Sequence, residues 1–511
     1  MPIDIAHHEK IAFVHANVLA MTDAEVAPNQ TVCIADGKIT SIGETPPHSL
    51  EDYALIDADG RYLLPALTDM HTHLGDNEDD LLLYLVNGVT TIRSMWGYEG
   101  FGLRRWLFGT RVFRHLHLRD EVNAGRILGP SIYTAGPLLE GTPSFFPRFM
   151  VEVVTSRQQA EDTVTRQANQ GYDCIKFYST VSAEVFDALV HAARRHGIAI
   201  AGHVPDAVGL ENVIAARVTS VEHLLGFFHP YQPNLAVPAR DIPRLAELSA
   251  VNDVSHCPTL IASERIGHLA CQSRYESEPE MAYLPKRIKG GMRFLQKASH
   301  DVLQKRGLKP NHEYLPTLFQ VIRELQRQGA RILVGTDKAT PYVVAGFAVH
   351  RELQLLHDAG LTPFEVLKAA TVNAAECLRA TDTSGTIEPG KRADLLLTPK
   401  NPLQDLSTLA NHCGVMTHGR WISRQQCDQI LESIRQKHRS AVRPASEGVL
   451  RWPTRCGVAG RIARSISGCR PRPARHLASA PLGARARNAK SEDLTPPPRC
   501  PALCISTAGV P

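Results

Sequence analysis

The feature that most constrains the fold is a regular alternation of apolar, strand-like runs with helix-like runs between residues 62 and 384. Strands that alternate with helices form parallel sheets, and repetition over this length favours eight strand and helix pairs closed into a barrel. We therefore predict an α/β fold with a (β/α)8 TIM barrel at residues 62–384. The clearest runs read TTIRSM, AEDTVTRQANQGYDCIKFYS, EVFDALVHAARRHGIAIAGHV and GLENVIAARVTSVEHLL.

Short β-rich runs flank this region on both sides. Residues 1–61 carry three such runs, and two of them are interrupted by Asp-Gly pairs, at Asp36-Gly37 and Asp59-Gly60. An Asp-Gly pair between apolar runs indicates a β-hairpin. Residues 385–435 return to strand-like runs such as GTIEPGKRADLLL and GVMTHGRWI. We predict that the two flanking units join into one small β-sandwich beside the barrel.

The last part of the chain has a different composition. Residues 441–511 hold 12 of the 56 Lys and Arg but only 3 of the 52 Asp and Glu, so this tail is basic while the rest is mildly acidic. It is rich in Arg, Pro and Ala without a period of 2 or 3.6, which predicts a disordered segment at residues 436–511. Because it has few aromatic residues to stack on bases, we expect an inert appendage and no nucleic-acid partner. A binding arm is the alternative.

The overall composition is that of a globular protein, with 43% hydrophobic residues. No apolar run approaches the roughly 18 residues that span a bilayer, and the N-terminus lacks a basic segment followed by an apolar one. The 11 cysteines are scattered without CxxC pairs, as expected for buried thiols in a reducing compartment. We therefore expect no membrane partner and a cytoplasmic location.

Two histidines, His71 and His73, stand one residue apart in the stretch TDMHTHLGD, directly after an apolar run. Residues two apart in a strand face the same side, so both imidazoles would point into the barrel mouth. That is a metal-binding geometry, although a single pair of this kind also arises by chance. Further candidate ligands are needed to decide between these interpretations.

Four later segments supply such candidates. Each places one polar residue at the end of a strand-like run that a helix-like run follows. The carboxyl ends of barrel strands form the active-site face, so these side chains should converge with the two histidines. One such histidine is usually a core residue, but several coincident placements favour a functional site. The segments are DCIKFYS with Lys176, IAIAGHVPD with His203, SVEHLLG with His223, and RILVGTDKAT with Asp337.

These segments resemble the amidohydrolase superfamily, and within it the imidazolonepropionase-like and prolidase-like binuclear hydrolases. The resemblance covers residues 10–435 and rests on LLPALTDMHTHL, IKFY, AGHVPD, VEHLL, LVGTD, LTPFEVLKAATVNAAECL, GTIEPGKRADLLL and NPL. Two departures are visible. Ala66 stands where a Gly is usual, and Ser94 follows Arg93 where the family often has Asp. Neither departure removes a candidate ligand.

The resemblance implies two divalent metal ions, most simply Zn²⁺. His71, His73 and Asp337 would hold one ion, and His203 and His223 the other. Lys176 would be N6-carboxylated by CO₂ into a carboxylate that bridges both ions, whereas a salt-bridging lysine is the plainer interpretation. Imidazole and carboxylate groups suit Zn²⁺, but Mn²⁺, Co²⁺ or Ni²⁺ accept the same ligands, so the identity of the metal stays open.

The function implied by the resemblance is hydrolysis of an amide C–N bond in a peptide-like molecule, an N-acyl amino acid or a cyclic amide. A hydroxide bridging the two ions would attack, with Asp337 as the proton shuttle. The alternatives are a mononuclear deaminase, a lactone or ester hydrolase, and a non-catalytic scaffold. A deaminase would carry Glu three residues after His203, where this chain has Asp206. A scaffold would have lost ligands, yet all six positions are filled.

Substrate specificity should depend on the loops that follow the strands. The loop after His223 reads GFFHPYQPN and offers His229 and Tyr231, which would either bind a substrate carboxylate or merely pack. The expected partner is a small-molecule substrate. Formation of a homo-oligomer stays open.

Overall fold

The computed structural model of the chain describes residues 8–46, 49–75, 79–97, 115–146, 148, 150–229, 232, 235–266, 271–305 and 307–440. All of these residues belong to one compact unit. Tyr231 lies outside the described residues. So does the predicted tail, except for residues 436–440, which form the end of the last described helix.

The described elements alternate through most of the chain. The strands are β1 (Lys10–Val18), β2 (Ala27–Ala35), β3 (Lys38–Gly43), β4 (Ala54–Asp57), β5 (Tyr62–Pro65), β6 (Leu67–Thr72), β7 (Val89–Ser94), β8 (Ser131–Thr134), β9 (Leu139–Glu140), β10 (Glu152–Val153), β11 (Cys174–Phe177), β12 (Ala199–Gly202), β13 (Ser220–Glu222), β14 (Ser255–Cys257), β15 (Leu395–Thr398), β16 (Gly414–Thr417) and β17 (Arg420–Ser423). The helices are α1 (Asp80–Leu85), α2 (His115–Asn123), α3 (Arg157–Asn169), α4 (Ala183–His196), α5 (Leu210–Ala215), α6 (Ile242–Val251), α7 (Leu260–Arg265), α8 (Gln272–Glu276), α9 (Lys286–Lys305), α10 (Leu315–Arg327), α11 (Phe347–Asp358), α12 (Pro363–Ala370), α13 (Val372–Cys377) and α14 (Arg424–Ser440). Short 3-10 turns lie at Ala239–Asp241, Pro279–Tyr283, Asn311–Tyr314 and Leu406–Leu409.

Parallel pairing runs around eight segments in the middle of the chain. One sheet contains β6, β7 and β8, and a second contains β11, β12, β13 and β14 in that order. Parallel bridges connect Ala135 to Cys174, His256 to Ile332 and Thr72 to Lys338, so residues 332–338 lie between β14 and β6. Because helices separate most of these strands in sequence, the fold is a TIM-barrel-like α/β fold, as predicted.

The two ends of helix α4 are determined by local sequence signals. Its first turn is capped by the Ser182 hydroxyl, which accepts a hydrogen bond from Val185 N at 3.3 Å. It ends at Gly197, whose φ of 65° lies in the left-handed region that glycine adopts without a steric penalty. The strand β12 follows after one residue and leads to His203, so one helix and one strand end were correctly predicted together.

Strands from both chain ends share a separate eight-stranded sheet. Its order is β17-β16-β15-β5-β1-β2-β3, with β4 paired to β1. The two chain ends meet where β5 and β15 pair antiparallel, with Leu64 opposite Leu396. Their union in one sheet was expected, while its arrangement as a sandwich stays a prediction. Since β5 pairs within this sheet, the first barrel strand is β6.

The two Asp-Gly pairs have different outcomes. Asp36-Gly37 joins the antiparallel strands β2 and β3, with φ values of 49° and 72°, so the hairpin predicted there is confirmed. The hairpin predicted at Asp59-Gly60 is wrong, because β4 and β5 both run parallel to β1 and do not pair with each other. The turn instead connects β4 to β5, which pair with successive parts of the same edge of β1.

Two buried clusters account for most of the core. The larger one lines the barrel strands and the helices around them, and the smaller one lies in the sheet formed by the chain ends. Among the described residues, none of the helices combines the length and the apolar character that crossing a membrane requires.

Candidate metal centre

The barrel brings the predicted ligands to one end of its strands. His71 lies in β6 and Lys176 in β11, while His203 and His223 directly follow β12 and β13. The His71 ring centroid lies 4.6 Å from that of His223, which lies 4.9 Å from that of His203. All of these strands point the same way, so their carboxyl ends face one mouth.

Asp337 completes a group with the two neighbouring histidines. Its Oδ1 atom lies 3.0 Å from His73 Nε2 and 3.6 Å from His71 Nε2. Ligand atoms of these three residues all lie within 4.8 Å of one another. The other carboxylate oxygen, Oδ2, accepts a hydrogen bond from the Thr340 hydroxyl at 3.0 Å. One oxygen of Asp337 is therefore anchored while the other faces the histidines.

The backbone at this end of the barrel is strained in several places. His223, Thr259 and Asp337 have φ values of 61°, 49° and 52°, which residues other than glycine rarely adopt. Such conformations cost free energy and concentrate at functional sites. Gly335 is needed for a different reason, because a Cβ there would meet Cys257 Sγ at 2.3 Å and His71 Cβ at 2.8 Å.

A buried carboxylate, Glu222, orients His71. Its Oε2 atom lies 2.5 Å from His71 Nδ1, and its Oε1 atom accepts hydrogen bonds from Arg93 Nη2 at 2.9 Å and Ser220 Oγ at 2.5 Å. Burial raises the pKa of Glu222, but Arg93 and His71 outweigh it and hold that pKa well below its usual range. The ionised carboxylate therefore accepts a hydrogen bond from the Nδ1–H group of His71, which leaves Nε2 without a proton and facing the mouth.

Sequence reasoning did not identify Glu222 or its partner Arg93. The available signal was a glutamate inside the apolar run SVEHLL, since a fully buried charge needs a partner. Asp69 was missed for a similar reason. It accepts hydrogen bonds from Thr336 Oγ1 at 2.6 Å and from His71 N at 3.2 Å, and so ties β6 to the last barrel segment.

The other two histidines are also held through one ring nitrogen. His223 Nδ1 lies 2.7 Å from the Thr259 hydroxyl, and His203 Nδ1 lies 3.3 Å from the Ser179 hydroxyl. A histidine that is held through Nδ1 presents Nε2 to a ligand. The three histidines His71, His203 and His223 thus share one pattern of support.

Burial keeps these imidazoles neutral. It lowers the pKa of His71 and of His203 well below the usual value, and the nearby Lys176 amine lowers both further. Burial likewise lowers the pKa of His223 to about 4. A neutral imidazole has a lone pair to give to a metal ion, so no proton has to be removed first.

Several buried polar atoms at the mouth lack a hydrogen-bond partner among the described residues. They are His71 Nε2, His73 Nδ1 and the Lys176 amine. Lys176 is 2% exposed, and burial lowers the pKa of its amine. Polar atoms are rarely buried unpaired, so these atoms call for a group that binds them. Imidazole nitrogens with a carboxylate oxygen are a donor set that divalent metal ions, Zn²⁺ among them, accept.

A second group of close ligand atoms belongs to His71, Glu222 and Cys257. Here Glu222 already binds the Arg93 guanidinium and His71 Nδ1. A cation placed among these residues would face the guanidinium charge, so this group supports the histidine and is not a separate site.

The predicted substrate contact His229 and the two departures from the family pattern, Ser94 and Ala66, can also be located. His229 Nδ1 accepts a hydrogen bond from Gln232 N at 3.1 Å, and its Nε2 lies 3.6 Å from Asp206 Oδ1. Its contact with substrate stays a prediction. Ser94 is fully buried and accepts a hydrogen bond from Leu74 N at 3.4 Å, while Ala66 packs in the larger core cluster.

Known proteins are similar to this chain in sequence and in fold. Residues 62–422 match the Amidohydrolase family. Ochratoxinase from Aspergillus niger is 22% identical over 449 residues, which cover 78% of this chain and 83% of that protein. Imidazolonepropionase from Geobacillus sp. (strain WCH70) is 23% identical over 395 residues, which cover 74% and 85%. The solved structure of bottromycin amidohydrolase superposes with a TM-score of 0.67 and 27% identity, and covers 84% of this chain and 91% of that one. The chain therefore belongs to the amidohydrolase family.

Proposed function

We propose that this metal-dependent amide hydrolase binds two divalent cations, most simply Zn²⁺, in the barrel mouth. His71, His73 and Asp337 would hold one cation, because their ligand atoms lie within 4.8 Å of one another. His203 and His223 would hold the other, since both rings are supported through Nδ1. The proposal depends on the convergence of these five residues around a buried amine.

The buried amine of Lys176 is the observation that carries the proposal. An ammonium group would repel both cations, and the described residues offer this amine no hydrogen-bond partner. Burial lowers its pKa, which increases the neutral fraction. A neutral amine can attack CO₂, forming an N–C bond and releasing one proton, and the product is a carboxylate. We propose that this N6-carboxylated Lys176 supplies the negative charge shared by both cations.

Asp337 is the proposed proton shuttle. When bound, the cations would supply an activated water and polarise the scissile carbonyl. Burial raises the pKa of Asp337, but the hydrogen bond from His73 and the nearby imidazoles hold it well below the usual value. The carboxylate is thus ionised at neutral pH and can accept a proton on Oδ1, then return it to the leaving amine. Thr340 keeps Oδ2 in place during both transfers.

The proposed substrate is an amide of a small molecule, either peptide-like, an N-acyl amino acid or a cyclic amide. His229 is a candidate contact for a substrate carboxylate, although in this structure it lies beside Asp206. The same Asp206 accepts a hydrogen bond from Gln232 Nε2 at 3.0 Å, so both of its oxygens lie beside residues of the loop after β13. We further propose a cytoplasmic location, because the cysteines in the described part of the chain form no disulfide and most of them are buried thiols.

A substrate panel tests this proposal. Protein loaded with zinc or manganese would be assayed against dipeptides, N-acyl amino acids and lactones, with product amines and acids detected separately. We expect release of an amine from at least one amide class, and a loss of roughly 10²-fold to 10⁴-fold or more in kcat for Asp337→Asn, because a proton shuttle and a ligand are affected together. Release of ammonia alone, or turnover of lactones alone, would contradict amide hydrolysis.

A further inference from the structure

Four aromatic side chains form a continuous surface beside the candidate metal centre, which we call the aromatic wall. Trp96 lies after β7, Phe145 and Phe146 lie in the loop after β9, and Tyr178 directly follows β11. The Phe146 ring centroid lies 4.8 Å from that of Trp96, 5.0 Å from that of Phe145 and 5.5 Å from that of Tyr178. These are ordinary distances for interacting aromatic pairs.

Both ends of the aromatic wall touch proposed metal ligands. The Trp96 ring meets His73 edge to face, with centroids 5.9 Å apart and planes at 82°. The Tyr178 ring lies over His203, with centroids 3.8 Å apart. The wall therefore runs from the ligands of one proposed cation to those of the other, and a molecule bound over both cations would lie against it.

The hydrophobic core does not explain the aromatic wall. Among the described residues, none of its four side chains belongs to a buried hydrophobic cluster or packs against one. All four are half-buried, so part of each ring remains open to solvent. Trp96 Nε1 donates to the Met150 carbonyl at 3.1 Å, so the only polar group of the indole is already hydrogen-bonded. The four rings therefore keep partly exposed apolar surface next to His73 and His203.

The centre of the aromatic wall is held in place by a buried carboxylate. Glu140 is fully buried, and its Oε2 atom accepts hydrogen bonds from Phe146 N at 3.2 Å and from the Ser144 hydroxyl. The loop that carries Phe145 and Phe146 is thus anchored to β9. A preorganised apolar surface loses less entropy when a ligand binds than a mobile one does.

We infer that the aromatic wall selects amide substrates that carry an aromatic ring close to the scissile C–N bond. The inference rests on the proposed function and narrows its substrate class. Ring-on-ring packing would hold the aromatic group of the substrate against Phe146 while the amide lies over the ligands that the wall connects. Substrates with only a methyl group at that position would lose this contact.

Binding measurements test the inference without relying on turnover. Metal-loaded full-length protein would be titrated by calorimetry with 3-phenylpropionate and with propionate, which share a carboxylate and differ by the ring. We expect phenylpropionate to bind roughly 10-fold to 100-fold more tightly, the range given by burying a phenyl-sized group. Phe146→Ala should remove most of this preference, and Phe146→Leu part of it, with little change in propionate binding.

A matched control and a second readout complete the test. Phe294→Ala changes a phenylalanine that is 59% exposed on α9 and lies outside the wall, so the preference should survive. In turnover assays, the ratio of kcat/KM for N-acetylphenylalanine to kcat/KM for N-acetylalanine should fall in the Phe146 variants and stay unchanged in Phe294→Ala. Equal binding of the two acids by the unaltered protein, or an unchanged preference in folded Phe146→Ala, would overturn the inference. Ring-selective binding without any amide cleavage would instead refute the proposed function, while the inference that the aromatic wall binds aromatic rings would remain supported.

Discussion

The buried carboxylate of Glu222 decides which nitrogen of His71 faces the barrel mouth. It accepts from Arg93 and lies against His71 Nδ1, so it links a guanidinium to a proposed metal ligand. Side chains that fix a ligand's tautomer contribute to metal binding without touching the metal. At this scale the chemistry depends on pairs of charges that burial shields from water.

Replacing Glu222 by Gln should weaken metal binding. The amide keeps the length of the side chain but offers one acceptor oxygen where three donors, Arg93, Ser220 and His71, need partners. We expect metal affinity to fall roughly 10-fold to 100-fold, as found when outer supports of metal ligands are removed. Competition with a chelator of known affinity measures this change in the folded protein.

The matched control is Glu211→Gln, which alters an exposed glutamate that pairs with Arg244 at 2.7 Å. Exposed pairs contribute little, so neither metal affinity nor stability should change measurably. Equal metal affinity for the Glu222 variant and the control would show that Glu222 does not support His71.

The candidate ligands could be predicted from the sequence because each stands at or near the carboxyl end of a strand. In a barrel of parallel strands, side chains at these ends face the same mouth. His203 follows the strand pattern IAIAG and Asp337 follows RILVGT, so the neighbouring sequence alone predicted where both residues lie. Glu222 and Arg93 were not, because their pairing joins residues far apart in the chain. The aromatic wall was missed for the same reason, since its rings come from three separate loops.

Secondary-structure elements show the same division between local and distant causes. Asp36-Gly37 forms the predicted hairpin because its neighbouring strands pair with each other. Asp59-Gly60 has the same residues and nearly the same positive φ values, yet its neighbours β4 and β5 pair with β1 instead. Local sequence determines the turn, but the partner strand decides what the turn connects.

Contacts between helices include one carboxylate with a raised pKa. Glu352 of α11 accepts hydrogen bonds from Leu260 N at 2.9 Å and Ile261 N at 2.8 Å, at the start of α7. Burial raises its pKa from 4.5 to about 8, although both backbone donors lower it. Since the folded protein holds this proton more tightly than the unfolded chain, the contribution to stability is fully present below pH 4.5. It is lost as the pH rises through about 8.

We therefore expect Glu352→Gln to flatten part of the pH dependence of stability. The amide cannot titrate, so the variant should lose less stability than the unaltered protein between pH 5 and pH 8. The difference is on the order of 4 kcal/mol at most, since one pKa unit corresponds to about 1.4 kcal/mol. Thermal unfolding at several pH values, with Glu211→Gln as the control, measures it. Parallel curves for Glu352→Gln and the unaltered protein would contradict the raised pKa.

At the scale of the whole molecule, strands from the N-terminal and C-terminal parts of the described chain form one sheet. β15 pairs with β5, and β16 and β17 extend the same sheet. Val415, Met416 and Ile422 in these last strands are fully buried. The sheet beside the barrel thus cannot be completed until the C-terminal strands have been made.

Truncation after Ser440 should leave folding and hydrolysis unchanged. The removed residues lack the apolar periodicity that builds a core, whereas every described element is retained. Truncation after Asn411 removes β16, β17 and α14 and should abolish soluble protein, because it exposes the buried faces of the sheet and deletes three fully buried side chains. Soluble yield and circular dichroism compare the two. Loss of soluble protein in the shorter deletion would show that the tail packs.

Metal stoichiometry is the sharpest test of the proposed binuclear centre, in which Lys176 would lie between two cations. Elemental analysis would measure the metal content per chain in the unaltered protein and in Lys176→Ala, both purified from cells grown with zinc. We expect about two metal ions per unaltered chain, fewer in the variant, and partial recovery of metal and activity when short carboxylic acids are added. Full metal content and a full rate of hydrolysis in Lys176→Ala would contradict the proposed centre.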